Sequence, residues 1–136
     1  MIASGAAYNL DDEVMRERLQ TLGILVHLNK DAMFYAEENG STGFTWMIDE
    51  AACDDEIFSF STTLSNSLSS TSSQDATVAR TRMVGAPSRR YFTLTANGTG
   101  SCQFRLFYAR PWEFSFEDEA GSAYIKKIEI PVTAIE

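Results

Sequence analysis

Cys102-Gln103-Phe104-Arg105-Leu106-Phe107-Tyr108 alternates large apolar and mixed positions. Side chains of a strand point to opposite faces in turn, so this is the pattern of a half-buried β-strand. It runs straight into Ala109-Arg110-Pro111-Trp112. Pro111 fixes its own φ and biases Arg110 toward extended backbone. The strand therefore ends in a stiff loop that presents one cation and one large aromatic, residue types that often anchor protein interfaces.

Outward from this stretch, the chain reads as a series of short strands. Residues 22–28 and 31–38 form the first two, joined at Asn29-Lys30, and 44–48 and 57–61 follow, the latter alternating cleanly as Ile57-Phe58-Ser59-Phe60-Ser61. Residues 77–84 and 89–96 are strand-like, Asn97-Gly98 is a strong turn signal, and 124–132 closes the series. Pro131 stands near the end of that last strand, where an edge position tolerates it. Residues 64–74 are almost all serine, threonine and asparagine and are expected as a mobile loop. Seven or eight strands separated by turns predict an all-β fold, an immunoglobulin-like β-sandwich over residues 22–136. Residues 1–21 are expected as an N-terminal appendage, with a short helix over 9–20 led by Asp11-Asp12-Glu13.

Composition narrows the function classes. At 136 residues the chain has room for one domain with a substantial core. The formal charge of −8 argues against nucleic acid as a partner. The longest apolar run, 22–28, is too short to cross a bilayer, and the first residues lack the basic and apolar regions of a signal peptide, so an intracellular location is expected. Cys102 shares parity with Phe104 and Leu106 and is expected as a buried free thiol, with Cys53 unpaired in an acidic loop. The acids concentrate near 11–13, 49–56 and 113–119, whereas Arg80, Arg82, Arg89 and Arg90 define a local basic patch. His27, the only histidine, lies in an apolar strand and is expected as a packed residue. Neither a usual zinc site nor a Cys/His pair can be built from it, so no enzyme, metal or cofactor is expected.

A second loop gives the Arg110-Pro111-Trp112 tripeptide its meaning. Asn39-Gly40-Ser41-Thr42-Gly43-Phe44-Thr45-Trp46 resembles the first signature loop of the chagasin-like cysteine peptidase inhibitors, which reads Asn-Pro-Thr-Thr-Gly-aromatic with a tryptophan two residues on. Gly40 stands where that family has proline, and Ser41 where it has threonine. Arg110-Pro111-Trp112 matches the third signature loop in full. The second, normally Gly-X-Gly-Gly, corresponds to Gly85-Ala86-Pro87-Ser88, which keeps only the first glycine.

The resemblance covers about 22–132 and implies a monomeric inhibitor of papain-like cysteine peptidases. The turn at Thr42 would enter the active-site cleft, the Trp112 loop would cover the primed side, and the Gly85 loop would flank the other. Strand counting supports a common edge, since connections separated by two antiparallel strands lie at the same end of a sandwich; this holds for loops one and two if 44–48, 57–61 and 77–84 include one interrupted strand. Trp46 is expected in the core, Trp112 at a partner, Phe44 in either place, and Arg110 near a partner or paired with Glu113 or Glu117. The sequon at Asn39 would place a glycan on the proposed binding loop, a point against a glycosylating compartment. Two other classes remain open at this stage: an immunoglobulin-like adhesion or carbohydrate-binding module, and a calcium-dependent structural domain using Asp54, Asp55 and Glu56 or 117–119.

Overall fold

The computed structural model of the chain describes residues 1–66 and 88–136. Among the described residues eight strands, β1 (Ala7–Asn9), β2 (Ile24–His27), β3 (Asp31–Glu38), β4 (Thr45–Ile48), β5 (Phe58–Asn66), β6 (Ser88–Ala96), β7 (Gly100–Ala109) and β8 (Lys126–Ile135), form two four-stranded sheets. One sheet has the order β1-β3-β6-β5 and the other β2-β8-β7-β4. Between these strands pairing is antiparallel except at two places, where β1 runs parallel to β3 and β2 parallel to β8.

The core follows from the alternation. Inward residues Phe34, Phe92 and Leu94 of the first sheet meet Phe104, Leu106, Ile128 and Ile130 of the second, all essentially without exposure. Phe104 stands at the centre, 5.3 Å from Phe34 and 6.0 Å from Phe92 between ring centroids. Trp46 is buried as expected, edge-on to Phe92, and its indole N–H donates to the Glu37 carbonyl at 3.0 Å.

The N-terminal segment packs into this same core through Tyr8, Leu10 and Leu19. Asp12 caps the helix α1 (Glu13–Leu22) by accepting from the Val14 and Met15 amides. Leu22, read as the first strand residue, ends that helix, and Gly23 turns the chain with φ +70. A Cβ on Gly23 would lie 2.7 Å from the Pro131 carbonyl oxygen, so both conformation and space call for glycine.

Four sequence expectations need correction. Pro131 lies in β8, an interior strand between β2 and β7, not at an edge. Alternate amides of a strand face the same side. The Glu129 amide is taken by the Gln20 side chain at 3.1 Å, and β2 pairing starts only at Val132. The Pro131 nitrogen therefore faces the α1 side, beyond the β2 ladder, where no strand amide is needed. Second, the serine-rich run does not begin a loop at Leu64: Leu64, Ser65 and Asn66 continue β5 against Arg90, Arg89 and Ser88. The rest of that run, and the strand read at 77–84, lie outside the described residues. Third, His27 is exposed at the end of β2, its Nδ1 3.3 Å from the Glu136 carbonyl oxygen.

Fourth, the cysteines are not free, because Cys53 and Cys102 form a disulfide. The Asp49 amide extends the β4 pairing by donating to the Arg105 carbonyl at 3.0 Å, and a single turn at Glu50–Ala52 then brings Cys53 to within 5.1 Å of Cys102 between Cα atoms. The bridge closes a span of 49 residues. Constraint of the unfolded chain over such a loop contributes about 2–4 kcal/mol. The Cys53→Ala/Cys102→Ala pair is thus expected to lower unfolding free energy by that amount, read from urea midpoints.

Candidate functional site

The loop between β3 and β4 is held by its own polar groups. The Asn39 side-chain oxygen accepts from the Ser41 amide at 3.2 Å and the Ser41 hydroxyl at 2.7 Å. The Thr42 hydroxyl donates to the Asn39 carbonyl at 2.8 Å. Gly40–Thr42 form one 3-10 turn, which Gly43 ends in the left-handed region at φ +84. The Gly43 amide returns to the Gly40 carbonyl at 3.2 Å. At the loop's entry the Asn39 amide donates to the Tyr108 hydroxyl at 3.1 Å, and the Tyr108 ring packs on both Phe44 and Trp46. Tyr108 thus joins β7 to this loop, a role that its parity in the strand pattern does not reveal.

The loop after β7 docks onto the first. Arg110 is extended and Pro111 starts a second 3-10 turn, Pro111–Glu113. Arg110 Nε donates to the Thr42 carbonyl at 3.2 Å, and its guanidinium lies 4.5 Å from the centre of the Phe44 ring. Its Nη1 reaches Glu113 at 3.4 Å, one of the two carboxylates expected from the sequence. Trp112 is 72% exposed, yet its ring edge lies 2.7 Å from where a Cβ on Gly43 would sit. Residues Asn39, Gly40, Ser41, Thr42, Gly43, Phe44, Arg110, Pro111 and Trp112 therefore lie together on one edge. Phe44 is half-buried and supports that edge from beneath, between Tyr108 and Arg110.

Gly85, Ala86 and Pro87 lie outside the described residues. Ser88 opens β6 directly beside Glu38 and Asn66, so the β5–β6 connection departs from the end of the body that carries the Asn39 loop. Two described strands, β4 and β5, separate the first loop from that connection, and β6 and β7 separate it from the third.

Glu38, the last residue of β3, was not singled out from the sequence. It is 3% exposed and accepts from the Trp46 amide at 2.8 Å, the Thr45 hydroxyl at 2.9 Å and Arg90 at 3.2 and 2.8 Å. One carboxylate thereby ties both flanks of the first loop to the start of β6. The signal was available in its parity with Ala32, Phe34 and Ala36, which makes Glu38 an inward-facing acid. The expected basic patch is divided accordingly: Arg90 faces inward to Glu38, whereas Arg89 lies over the Tyr35 ring on the outer face. Arg80 and Arg82 lie outside the described residues.

Behind the third loop, residues 110–125 fold back over the outer face of β7. Phe107, fully buried, is covered there by Phe114, Phe116 and Tyr124 at centroid distances of 4.7, 5.7 and 5.4 Å. Arg105 fastens this cover, pairing with Asp49, with Glu119 at 2.6 Å and with Glu129 at 2.7 Å. The Lys127 ammonium, and after it Arg105, hold the Glu119 carboxyl below its ordinary pKa. A lowered carboxylate pKa contributes stability that is present above the unfolded value and is lost as pH falls through the folded one. Lys127→Met removes that contribution, so it is expected to lower the melting temperature most near neutral pH, the gap from the parent closing as pH falls from about 6 to about 2.

Among the described residues no group of acidic, histidine or cysteine side chains is arranged to hold a metal ion. No described helix is long and apolar enough to cross a membrane.

Comparison with known proteins yields one family match and several structural ones. The family model of chagasin family peptidase inhibitors matches residues 26–126. Among solved structures, the cysteine protease inhibitor EhICP2 from Entamoeba histolytica is 21% identical with a TM-score of 0.62, over 99% of this chain and 96% of that one. Amebosin is 14% identical with a TM-score of 0.55, over 95% and 94% of the two chains. PbICP-C, solved in complex with falcipain-2, is 13% identical with a TM-score of 0.52, over 98% and 97%. A sequence search of curated proteins finds no significant match.

Proposed function

Because the chain belongs to the chagasin family of peptidase inhibitors, we propose that it inhibits papain-like cysteine peptidases, reversibly and tightly, by filling the active-site cleft with its loop edge. The observation that carries this reading is the clamp from Arg110 Nε to the Thr42 carbonyl, which joins two separate loops into one projecting ridge before any partner arrives. Loops already ordered lose little entropy on binding. Trp112 supplies the exposed aromatic anchor. In this reading the 39–44 turn enters the cleft, Arg110, Pro111 and Trp112 cover the primed side, and Gly85 to Ser88 approach from the other flank. The complex recorded for PbICP-C with falcipain-2 supports a peptidase as partner, and the description of EhICP2 supports the cysteine class.

The same turn explains why such an inhibitor would escape cleavage. The Asn39, Gly40 and Thr42 carbonyls already accept hydrogen bonds from within the ridge. A coiled backbone with its carbonyls engaged does not present an extended scissile bond in near-attack geometry. Incubation with papain tests both points: activity should fall, dilution should restore it, and mass spectrometry should find the chain intact. A chain cut between Asn39 and Phe44 would identify it as a substrate.

Gly40 offers a graded test. Asn39 is extended, the conformation favoured before proline, Gly40 is the first residue of the turn, and nothing lies within 4 Å of a Cβ there. Gly40→Pro is expected to stabilise by about 0.4–1 kcal/mol through the unfolded chain and to lower the inhibition constant. Unchanged or weaker inhibition would mean that looseness at Gly40 does not limit binding.

A further inference from the structure

Among the described residues, Trp112, Phe116, Tyr124 and Ile125 make up half of the large apolar side chains left exposed. All four belong to the single connection between β7 and β8. That connection is not a loose loop. The Ala123 amide donates to the Glu113 carbonyl at 3.1 Å and the Ile125 amide to the Tyr108 carbonyl at 2.8 Å, tying its returning limb to the base of the Trp112 turn. Phe114 and Phe107 fill the space beneath, in contact with Phe116 and Tyr124. The connection is thus a firm shoulder that begins at the Trp112 turn of the ridge and carries the exposed Phe116, Tyr124 and Ile125 over the outer face of β7.

Its charge is mainly acidic, with the exposed Lys126 at its β8 margin. No basic residue occurs between Arg110 and Lys126. Glu119 is turned inward to Arg105 and Lys127, and Glu113 reaches Arg110. Glu117 and Asp118 are exposed and form no ion pair among the described residues. Monomeric proteins seldom leave large contiguous apolar patches uncovered without a binding role.

From this we infer that the inhibitor makes a second contact, separate from its signature loops: the 114–125 shoulder seats on the peptidase surface beside the primed end of the cleft and selects enzymes whose rim there is basic. The inference rests on the proposed inhibition. Two features fit this occupant: continuity of the shoulder with the cleft-filling ridge, and the unpaired acids, which complement a basic rim. Apolar contact would govern how long the complex lasts, and the acids how fast it forms.

The test measures association and dissociation rates of the full chain with papain-like peptidases of differing surface charge. Ile125 is 57% exposed, so Ile125→Ser leaves the core intact. It is expected to speed dissociation about tenfold. Glu117→Lys/Asp118→Lys is expected to slow association with a basic peptidase about tenfold at low salt, the difference vanishing near 0.5 M salt. If both variants match the parent while Trp112→Ala loses inhibition, the inference falls and the inhibitory function stands. If the parent itself fails to inhibit, both fall. A concentration-dependent dimer of the free chain that Ile125→Ser dissolves would assign the shoulder to a second copy and overturn the inference.

Discussion

Gly43→Val is expected to weaken inhibition of a papain-like peptidase by about a hundredfold while leaving the sandwich folded. Gly43 has φ +84, a conformation costly for any residue with a Cβ and worst for a β-branched one. The added Cβ would also fall 2.7 Å from the Trp112 ring and 3.7 Å from Arg110 Nε. Relief requires either uncoiling the turn or pushing the third loop away from the first, and both separate the two halves of the ridge. Loss of a central tryptophan anchor alone costs about 2 kcal/mol or more in comparable interfaces, and a hundredfold corresponds to about 2.7 kcal/mol. Gly43 lies outside the inter-sheet core, so the melting temperature should change by only a few degrees. Inhibition equal to the parent's would show that the contact between the loops is not part of the binding unit.

The largest expected effect on stability is at Glu38. Glu38→Ala leaves Arg90 and the Trp46 amide without their acceptor in a site where the acid is 3% exposed. Removing one partner of such a pair typically costs about 3–5 kcal/mol, because an uncompensated charge remains behind. For a chain of this size that corresponds to a fall of about 10–17 °C in melting temperature. Glu38→Gln keeps one acceptor and should lose less. A double-mutant cycle with Arg90→Met isolates the pair, and coupling near zero would mean that the Trp46 and Thr45 contacts carry the effect instead.

The sequence was most legible where a strand is half-buried and long. β3, β6 and β7 were read to within two residues, since apolar alternation there records which side faces the core. The common edge of the first and third loops was expected from the resemblance of residues 39–46 and 110–112 to the family's signature loops, supported by strand counting. What stayed hidden depends on registers between distant strands. β1 is only three residues of ordinary composition, and its place is set by its partner β3. The disulfide needs the β4 chain to continue down β7 to Cys102. Pro131 fits an interior strand only because β2 begins one residue later on that side. Tyr108, which with Glu38 sets the ridge on the body, appears in the sequence as one more residue of an alternating strand, whereas Glu38 is legible as an acid on the inward parity of β3.

Titrating active-site-counted papain with the chain tests the joined-ridge account most directly. Residual activity should fall linearly to zero at one inhibitor per active site, and Trp112→Ala should abolish that sharp endpoint. Full activity at tenfold excess of the parent chain, or an endpoint unaffected by Trp112→Ala, would contradict it.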